Sequence, residues 1–313
     1  FEVKMNNITG DPLPLQPVID NPGFDNINRG PNRDFRLQSF IKHRGDLTNL
    51  ANTILRLVPK TTPVLVMCAN DGHVTLLLNW ACSLVKHKIA MPPHLIFTST
   101  AMLHDSLTKL GFTCFYHAAF GEFPAAAAGV YGDFTFGQMM YLKQFSVGVA
   151  LETGHDVVFQ DLDLTWLSNP IPMLQQQSKF YHAQFQDDNS RQERFAPFFA
   201  NSGFFYLRNT ATTKWFWEHV TFTLPNQPQG NQVIVDAMLQ YFVRYYNFKL
   251  SMLSFKEFMS GAYIAHPIHT PKSASPKPIF KEAKVMHFCW TTNFQDKILK
   301  MKHYSQLFVS EKC

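Results

Sequence analysis

The chain has 313 residues, 46% of them hydrophobic and 14% aromatic, with 28 basic and 23 acidic residues for a formal charge of +5. That is ample material for a buried core. The basic residues are scattered rather than striped, which suits phosphorylated ligands and argues against nucleic acid as a partner, and no apolar run approaches the ~20 residues that span a bilayer. A chain beginning at Phe1 is expected to be processed or trimmed, so any membrane attachment is expected only through an N-terminal anchor upstream.

Residues 1–35 are rich in Asn, Pro and Gly and show no sustained periodicity, so an irregular arm is expected over 1–45, followed by a single domain over 46–313. The arm holds one sequon, Asn7-Ile8-Thr9, compatible with the secretory pathway. Leu47, Leu50, Ile54 and Leu57 recur at helical spacing and predict a helix over 45–58. An alternation follows. PVLVMCAN, HLIFTS and TCFYH read as strands, and HVTLLLNWACSLVKH and AMLHDSLTKLG as helices, which predicts a parallel sheet with helices on its faces. A long helix is expected over about 134–153, closed by Gly154 and feeding the strand DVVFQ. Beyond it, KFYHAQFQ, FFANSGFFYLR, FKLSML and AKVMHFCW read as strands, TTKWFWEHVTF, NQVIVDAMLQYF and DKILKMKHY as helices, and 266–278 as a Pro/Ser loop. The expected class is α/β, a mixed central sheet flanked by helices.

Asp161 and Asp163 stand one residue apart where the hydrophobic strand Val157-Val158-Phe159 ends. Ligands of open α/β sheets gather at the carboxyl ends of strands, and paired carboxylates there suit Mg²⁺ or Mn²⁺ carrying a diphosphate. The bland alternative is a solvated acidic turn ahead of Asn169-Pro170. Asn201, Ser202 and Gly203 interrupt an apolar strand, where small and polar residues need partners or a ligand and glycine allows close approach; a β-bulge is the alternative. Five widely spaced cysteines without a C-x-x-C argue against zinc, leave at least one thiol unpaired, and read mostly as small core residues.

In order, A-N-D-x₇-N-W, D-V-V-F-Q-D-L-D-L-T-W-L-S-N-P, N-S-G-F-F-Y-L-R, N-Q at a helix start and H-F-C-W-x₆-K resemble the nucleotide-diphospho-sugar transferases of glycosyltransferase family 77, over about residues 62–304. The resemblance implies a GT-A fold and metal-dependent, retaining transfer from a UDP-sugar to a hydroxyl of a glycan or glycoprotein. Galactose or xylose is favoured as the donor sugar, with arabinose also open. It implies Asp161, Asp163 and His287 as ligands of Mn²⁺ or Mg²⁺, with Asp161 also near the ribose. Lys297 and Lys143 are implied at the diphosphate or donor sugar, Asn70 and Asp71 at uracil or ribose, and Asn201, Ser202 and Gly203 at the donor sugar. Gln232 is expected to face the anomeric carbon. Asn231 stands where relatives often carry Asp, and can hydrogen bond but not act as a base. Asp187, with Asp188, is an acceptor or sugar-contact candidate. Gln232 being a poor nucleophile, front-face transfer is expected over a covalent intermediate. Trp290 is expected at the acceptor face, and most other aromatics in the core. A Golgi-luminal domain of a type II membrane protein is implied, a cytoplasmic member being the alternative. Two rival readings are a nucleotide-sugar hydrolase and a non-catalytic nucleotide-sugar-binding protein on the same fold.

Overall fold

A computed structural model describes residues 32–226, 231–265, 280–309 and 313. The sequon and the 266–278 segment lie outside them. In chain order the elements begin with helix α1 (Asn32–Ile54), β1 (Val64–Ala69), α2 (Val74–Lys86), β2 (His94–Thr98), α3 (Ala101–Lys109) and β3 (Cys114–Phe115). Next come α4 (Phe134–Glu152), β4 (Val157–Gln160), β5 (Leu164–Trp166), α5 (Ile171–Gln177), β6 (Ala183–Asp187) and β7 (Ala200–Leu207). The chain then forms α6 (Ala211–Thr223), α7 (Asn231–Tyr245), β8 (Leu250–Leu253), β9 (Phe258–Met259), α8 (Gly261–Ile264), β10 (Val285–His287) and α9 (Phe294–His303).

The main sheet runs β3-β2-β1-β4-β7-β6-β8. Its first four strands are parallel, as the alternating sequence predicts, and β7 runs antiparallel to both β4 and β6, so the sheet is mixed. Strands buried on both faces must be apolar throughout, and β1 shows why VLVMCA qualifies. Val64 and Val66 enter one core with Phe145, Phe205, Trp217 and Phe242, while Leu65 and Met67 enter the other with Trp80, Trp166 and Met286. A smaller sheet, β5-β10-β9, pairs β10 antiparallel to β5 and parallel to β9.

Helix starts follow the capping residues. Thr100, Asp133, Thr210 and Asn293 accept the N–H of Leu103, Phe136, Thr213 and Asp296 at 2.8–3.1 Å. Gly154, at φ +88°, ends the turn after α4. Helix α4 is covered by the sheet on one side and by α1 and α6 on others, which explains its apolar character all round.

The expected irregular stretch is helical from Asn32, and the helix stops at Ile54 rather than 58. Its cause is tertiary. Phe40 stacks on Phe145 with centroids 4.3 Å apart, and Ser39 Oγ donates to the Ala119 carbonyl at 2.6 Å. An aromatic pair adds about 0.5–1.5 kcal/mol beyond the area it buries. Leu57 is 85% exposed, in the turn before Pro59, where helical backbone is disfavoured. Cys82, expected as a core thiol, is disulfide-bonded to Cys313, while Cys68, Cys114 and Cys289 are free. No helix among the described residues is long and apolar enough to cross a membrane.

Candidate active site and metal centre

The two sheets meet at the carboxyl end of β4. Asp161 donates its N–H to the Gly203 carbonyl at 2.8 Å, fixing the chain as it leaves the main sheet. Three residues later β5 pairs with β10, placing His287 opposite Leu164, and the Phe288 N–H reaches the Asp163 carbonyl at 2.9 Å. This pairing brings together residues far apart in sequence. One ligand atom each from Asp161, Asp163 and His287 lies within 4.8 Å of the others.

The imidazole is fixed from behind. Gln186 on β6 donates its amide N–H to the Phe258 carbonyl at 3.2 Å, so its Oε1 accepts from His287 Nδ1 at 2.8 Å. Nε2 therefore faces Asp163, 3.2 Å from Oδ1. Holding a ligating histidine through its other nitrogen is the usual support for a metal ligand. Two carboxylates and an imidazole form a donor set suited to Mn²⁺ or Mg²⁺. The residues fit the metal the sequence implies.

Lysines balance the charge. Lys143 Nζ lies 2.9 Å from Asp161 Oδ1, and Lys297 Nζ pairs with Asp163 Oδ2. Burial opposes ionisation of Asp163, but Lys297 and His287 outweigh it and hold that carboxyl well below the usual range. Burial likewise opposes a charged His287, yet Cys289 and Asp163 raise it to about 10. Lys143 is only 2% exposed. It belongs to the site, not to a solvated helix face, and its ammonium also sits 4.7 Å above the Phe159 ring.

Gly203 is required by the close approach of His287 and Asp161. A Cβ there would stand 2.4 Å from His287 Cε1 and 2.5 Å from Asp161 Oδ2. The strand is also irregular at this point, since the β6–β7 register shifts between Phe185 and Gln186, so close approach and bulge coexist. Asn201 Oδ1 accepts the Gly203 N–H at 2.7 Å, and Ser202 Oγ donates to Asn231 Oδ1 at 3.0 Å.

These groups line a cleft of about 220 Å³. Asp161, Asp163, His287, Lys143 and Lys297 line it, together with Asn201, Ser202, Gly203, Asn231 and Gln232, and Phe136, Met139 and Met140 add apolar lining. Asn231 Nδ2 is buried with no hydrogen-bond partner among the described residues, which leaves a donor for a ligand oxygen. Three expected residues are not cleft walls. Asp187 faces Arg191 in a bidentate pair at 2.7 and 2.9 Å and accepts the Asn189 N–H, so its carboxylate is taken up in a surface turn. Asn70 bonds the Ala126 carbonyl at 2.7 Å and His73 Nδ1 at 2.7 Å. It neither caps the following helical turn nor lines the cleft, and Asp71 beside it is exposed. His73 is the residue of this loop that does reach the cleft.

Sequence reasoning missed Gln186 and the two methionines. Gln184 and Gln186, alternating with Phe185 inside a buried strand, were the available signal for a polar support.

Residues 91–301 match the sequence profile of the nucleotide-diphospho-sugar transferase family. The beta-arabinofuranosyltransferase RAY1 of Arabidopsis thaliana is 23% identical over 172 residues, 53% of this chain and 30% of that protein, so the chain spans less than a third of the plant relative. Among solved structures, the bifunctional glycosyltransferase WbbM superposes with a TM-score of 0.50 at 13% identity, over 80% of this chain and 53% of that one. The galactosyltransferase LgtC gives 0.47 at 14% identity, over 80% of this chain and 98% of that one. The mixed sheet, with its aspartates at the end of β4, is thus a GT-A-type architecture, and the chain belongs to the nucleotide-diphospho-sugar transferase family.

Proposed function

We propose that the protein transfers a sugar from a UDP-sugar to a hydroxyl group of a glycan or glycoprotein, with a divalent metal and with retention of anomeric configuration. The observation that carries the proposal is the cluster of Asp161, Asp163 and His287 in a cleft that Lys143 and Lys297 also line. When bound, Mn²⁺ or Mg²⁺ supplies Lewis-acid stabilisation of the charge developing on the leaving diphosphate. The two lysines share that work as fixed positive charges, once the diphosphate competes with the aspartates for their ammonium groups. Asn231, Ser202 and Asn201 hold the donor sugar by hydrogen bonds, and Gln232 offers its side-chain carbonyl to the positively charged anomeric carbon.

Retention without a covalent intermediate is favoured by the composition of the cleft. Among its described lining residues, Asp161 and Asp163 are the carboxylates, and both belong to the metal centre. Asp188 is held by Asn201 and Trp290, and Asp187 by Arg191. A double displacement needs a free nucleophile beside the anomeric carbon. Front-face attack, with the departing phosphate oxygen taking the acceptor proton, needs none. The donor is a hexosyl or pentosyl UDP-sugar, galactose or xylose first and arabinose also open. The Cys82–Cys313 disulfide favours an oxidising compartment, in keeping with a Golgi-luminal setting.

Differential scanning fluorimetry with UDP- and GDP-sugars, each with and without Mn²⁺, tests the binding half, because a ligand of the folded state raises its melting temperature. One UDP-sugar giving a metal-dependent shift is expected. Proton NMR of the first product tests the rest. An inverted anomer, or transfer undiminished by EDTA, would refute the retaining, metal-dependent assignment.

A further inference from the structure

Trp290 is built unlike the other tryptophans. Trp80, Trp166 and Trp217 are buried in the cores and Trp215 is partly buried, whereas Trp290 is 42% exposed and lines the cleft. Its backbone is left-handed, at φ +59°, a conformation that a bulky residue adopts only when its surroundings impose it and that recurs at functional sites.

Two contacts impose it. Lys300 Nζ donates to the Trp290 carbonyl at 2.8 Å, and the indole N–H donates to both oxygens of Asp188 at 3.1 and 3.2 Å. Asp188 is itself 1% exposed. Its carboxylate also accepts Asn201 Nδ2 at 2.6 Å, its N–H bonds the Phe199 carbonyl and its carbonyl accepts Ser260 Oγ. A rigid, buried anchor therefore holds the polar edge of the indole and leaves an exposed apolar ring surface at the cleft.

We propose that the Trp290 ring is a stacking platform for a sugar ring of the acceptor, so that the acceptor is a saccharide, and that Asp188 is the positioning residue that fixes the platform. This rests on the transferase reading above. Depth assigns the ring to the acceptor side. His287 and Asp163, which the transferase reading assigns to the donor diphosphate, are buried, while Trp290, three residues beyond His287, stands partly in solvent. A molecule arriving after the donor has covered these buried groups meets the indole first. The face of a pyranose that carries mainly C–H groups packs on an aromatic ring, combining apolar burial with the attraction of its hydrogens to the π-system.

Three variants and one spectroscopic measurement test this. Trp290→Gly removes the ring and suits the left-handed backbone. Trp290→Phe keeps a ring but not its N–H. Acceptors are 4-nitrophenyl glycosides, with Ser/Thr peptides in parallel. The acceptor KM is expected to rise about tenfold or more in Trp290→Gly, given the combined burial and stacking, and to recover partly in Trp290→Phe. The thermal shift given by UDP-sugar and Mn²⁺ should persist in both. Asp188→Asn should raise the acceptor KM in the same direction. In wild-type protein held with UDP and Mn²⁺, an accepted glycoside should change the tryptophan emission, and the change should vanish in Trp290→Phe.

An unchanged acceptor KM in Trp290→Gly would overturn the proposal. So would loss of the donor shift with the acceptor KM unchanged, which assigns the ring to the donor, or peptide transfer that is equal in both proteins. If wild-type protein shows no shift with any nucleotide sugar, the transferase reading falls and this proposal with it. An intact donor shift with an acceptor KM insensitive to Trp290 removes this proposal alone.

Discussion

Replacing Gly203 by alanine would test the geometry of the metal centre with a single methyl group. That carbon would lie 2.4 Å from His287 Cε1, 2.5 Å from Asp161 Oδ2 and 2.9 Å from Asn201 Oδ1, all closer than real Cβ contacts come. His287 has no room to yield, since Gln186 holds Nδ1 at 2.8 Å and Asp163 stands 3.2 Å from Nε2. Asn201 is tied to Asp188. Asp161 is the least buried of the three proposed ligands and has to swing, drawing Lys143 with it. Gly203 does not have positive φ, so alanine meets no backbone penalty and by chain entropy alone would stabilise the fold slightly. Any loss is therefore steric. Overpacking of this kind costs about 1–3 kcal/mol, a fall of roughly 2–10 °C in melting temperature for a chain of this size. Disturbing a ligand's placement weakens metal binding by about 10–100-fold. Thermal melts across a Mn²⁺ titration measure both effects in one experiment. If Gly203→Ala keeps both the melting temperature and the apparent Mn²⁺ affinity, the close approach of Asp161 and His287 over this glycine is wrong.

Three further tests address separate parts of the molecule. Asp163→Asn removes a proposed metal ligand and also the counter-charge of Lys297 and His287; about 3–5 kcal/mol of stability and the metal-dependent donor shift should be lost together, and donor binding that still responds to Mn²⁺ would refute the ligand assignment. Asp236 on α7 is buried, which raises its carboxyl to about 8 against the lowering effect of the Ala200 N–H, and its Oδ2 has no hydrogen-bond partner among the described residues. The folded state therefore keeps a proton that the unfolded chain releases near pH ~4, so stability should fall as pH rises from about 4 to about 8, at up to ~1.4 kcal/mol per pH unit. Asp236→Asn should flatten that slope and be the more stable protein at pH 8, and parallel denaturation curves at pH 5 and pH 8 would contradict this. The Cys82–Cys313 bridge spans a sequence separation of 231, for which chain entropy predicts a stabilisation of up to about 5 kcal/mol; Cys82→Ser with Cys313→Ser should lower the urea midpoint clearly, and an unchanged midpoint would show that the bridge does not form.

Local pattern determined much of this protein. Short apolar runs such as VLVMCA and VVF suit strands buried on both faces, and the helical periodicities between them point to an α/β sheet. The placement of Asp161 and Asp163 at the end of β4 follows from where the hydrophobic run stops. The tertiary structure decided the rest, because side chains distant in sequence meet only through packing summed over whole elements. Pairing of β5 with β10 set His287 beside Asp163. Burial of α4 on every side turned Lys143 from a generic helix lysine into a partner of Asp161. Asp187 and Asp188 look alike in sequence, yet side chains alternate along an extended chain, so one faces Arg191 at the surface and the other is buried beneath Trp290. The same limit hid the helix from Asn32, which forms because Phe40 finds Phe145, a partner that no local window of sequence contains.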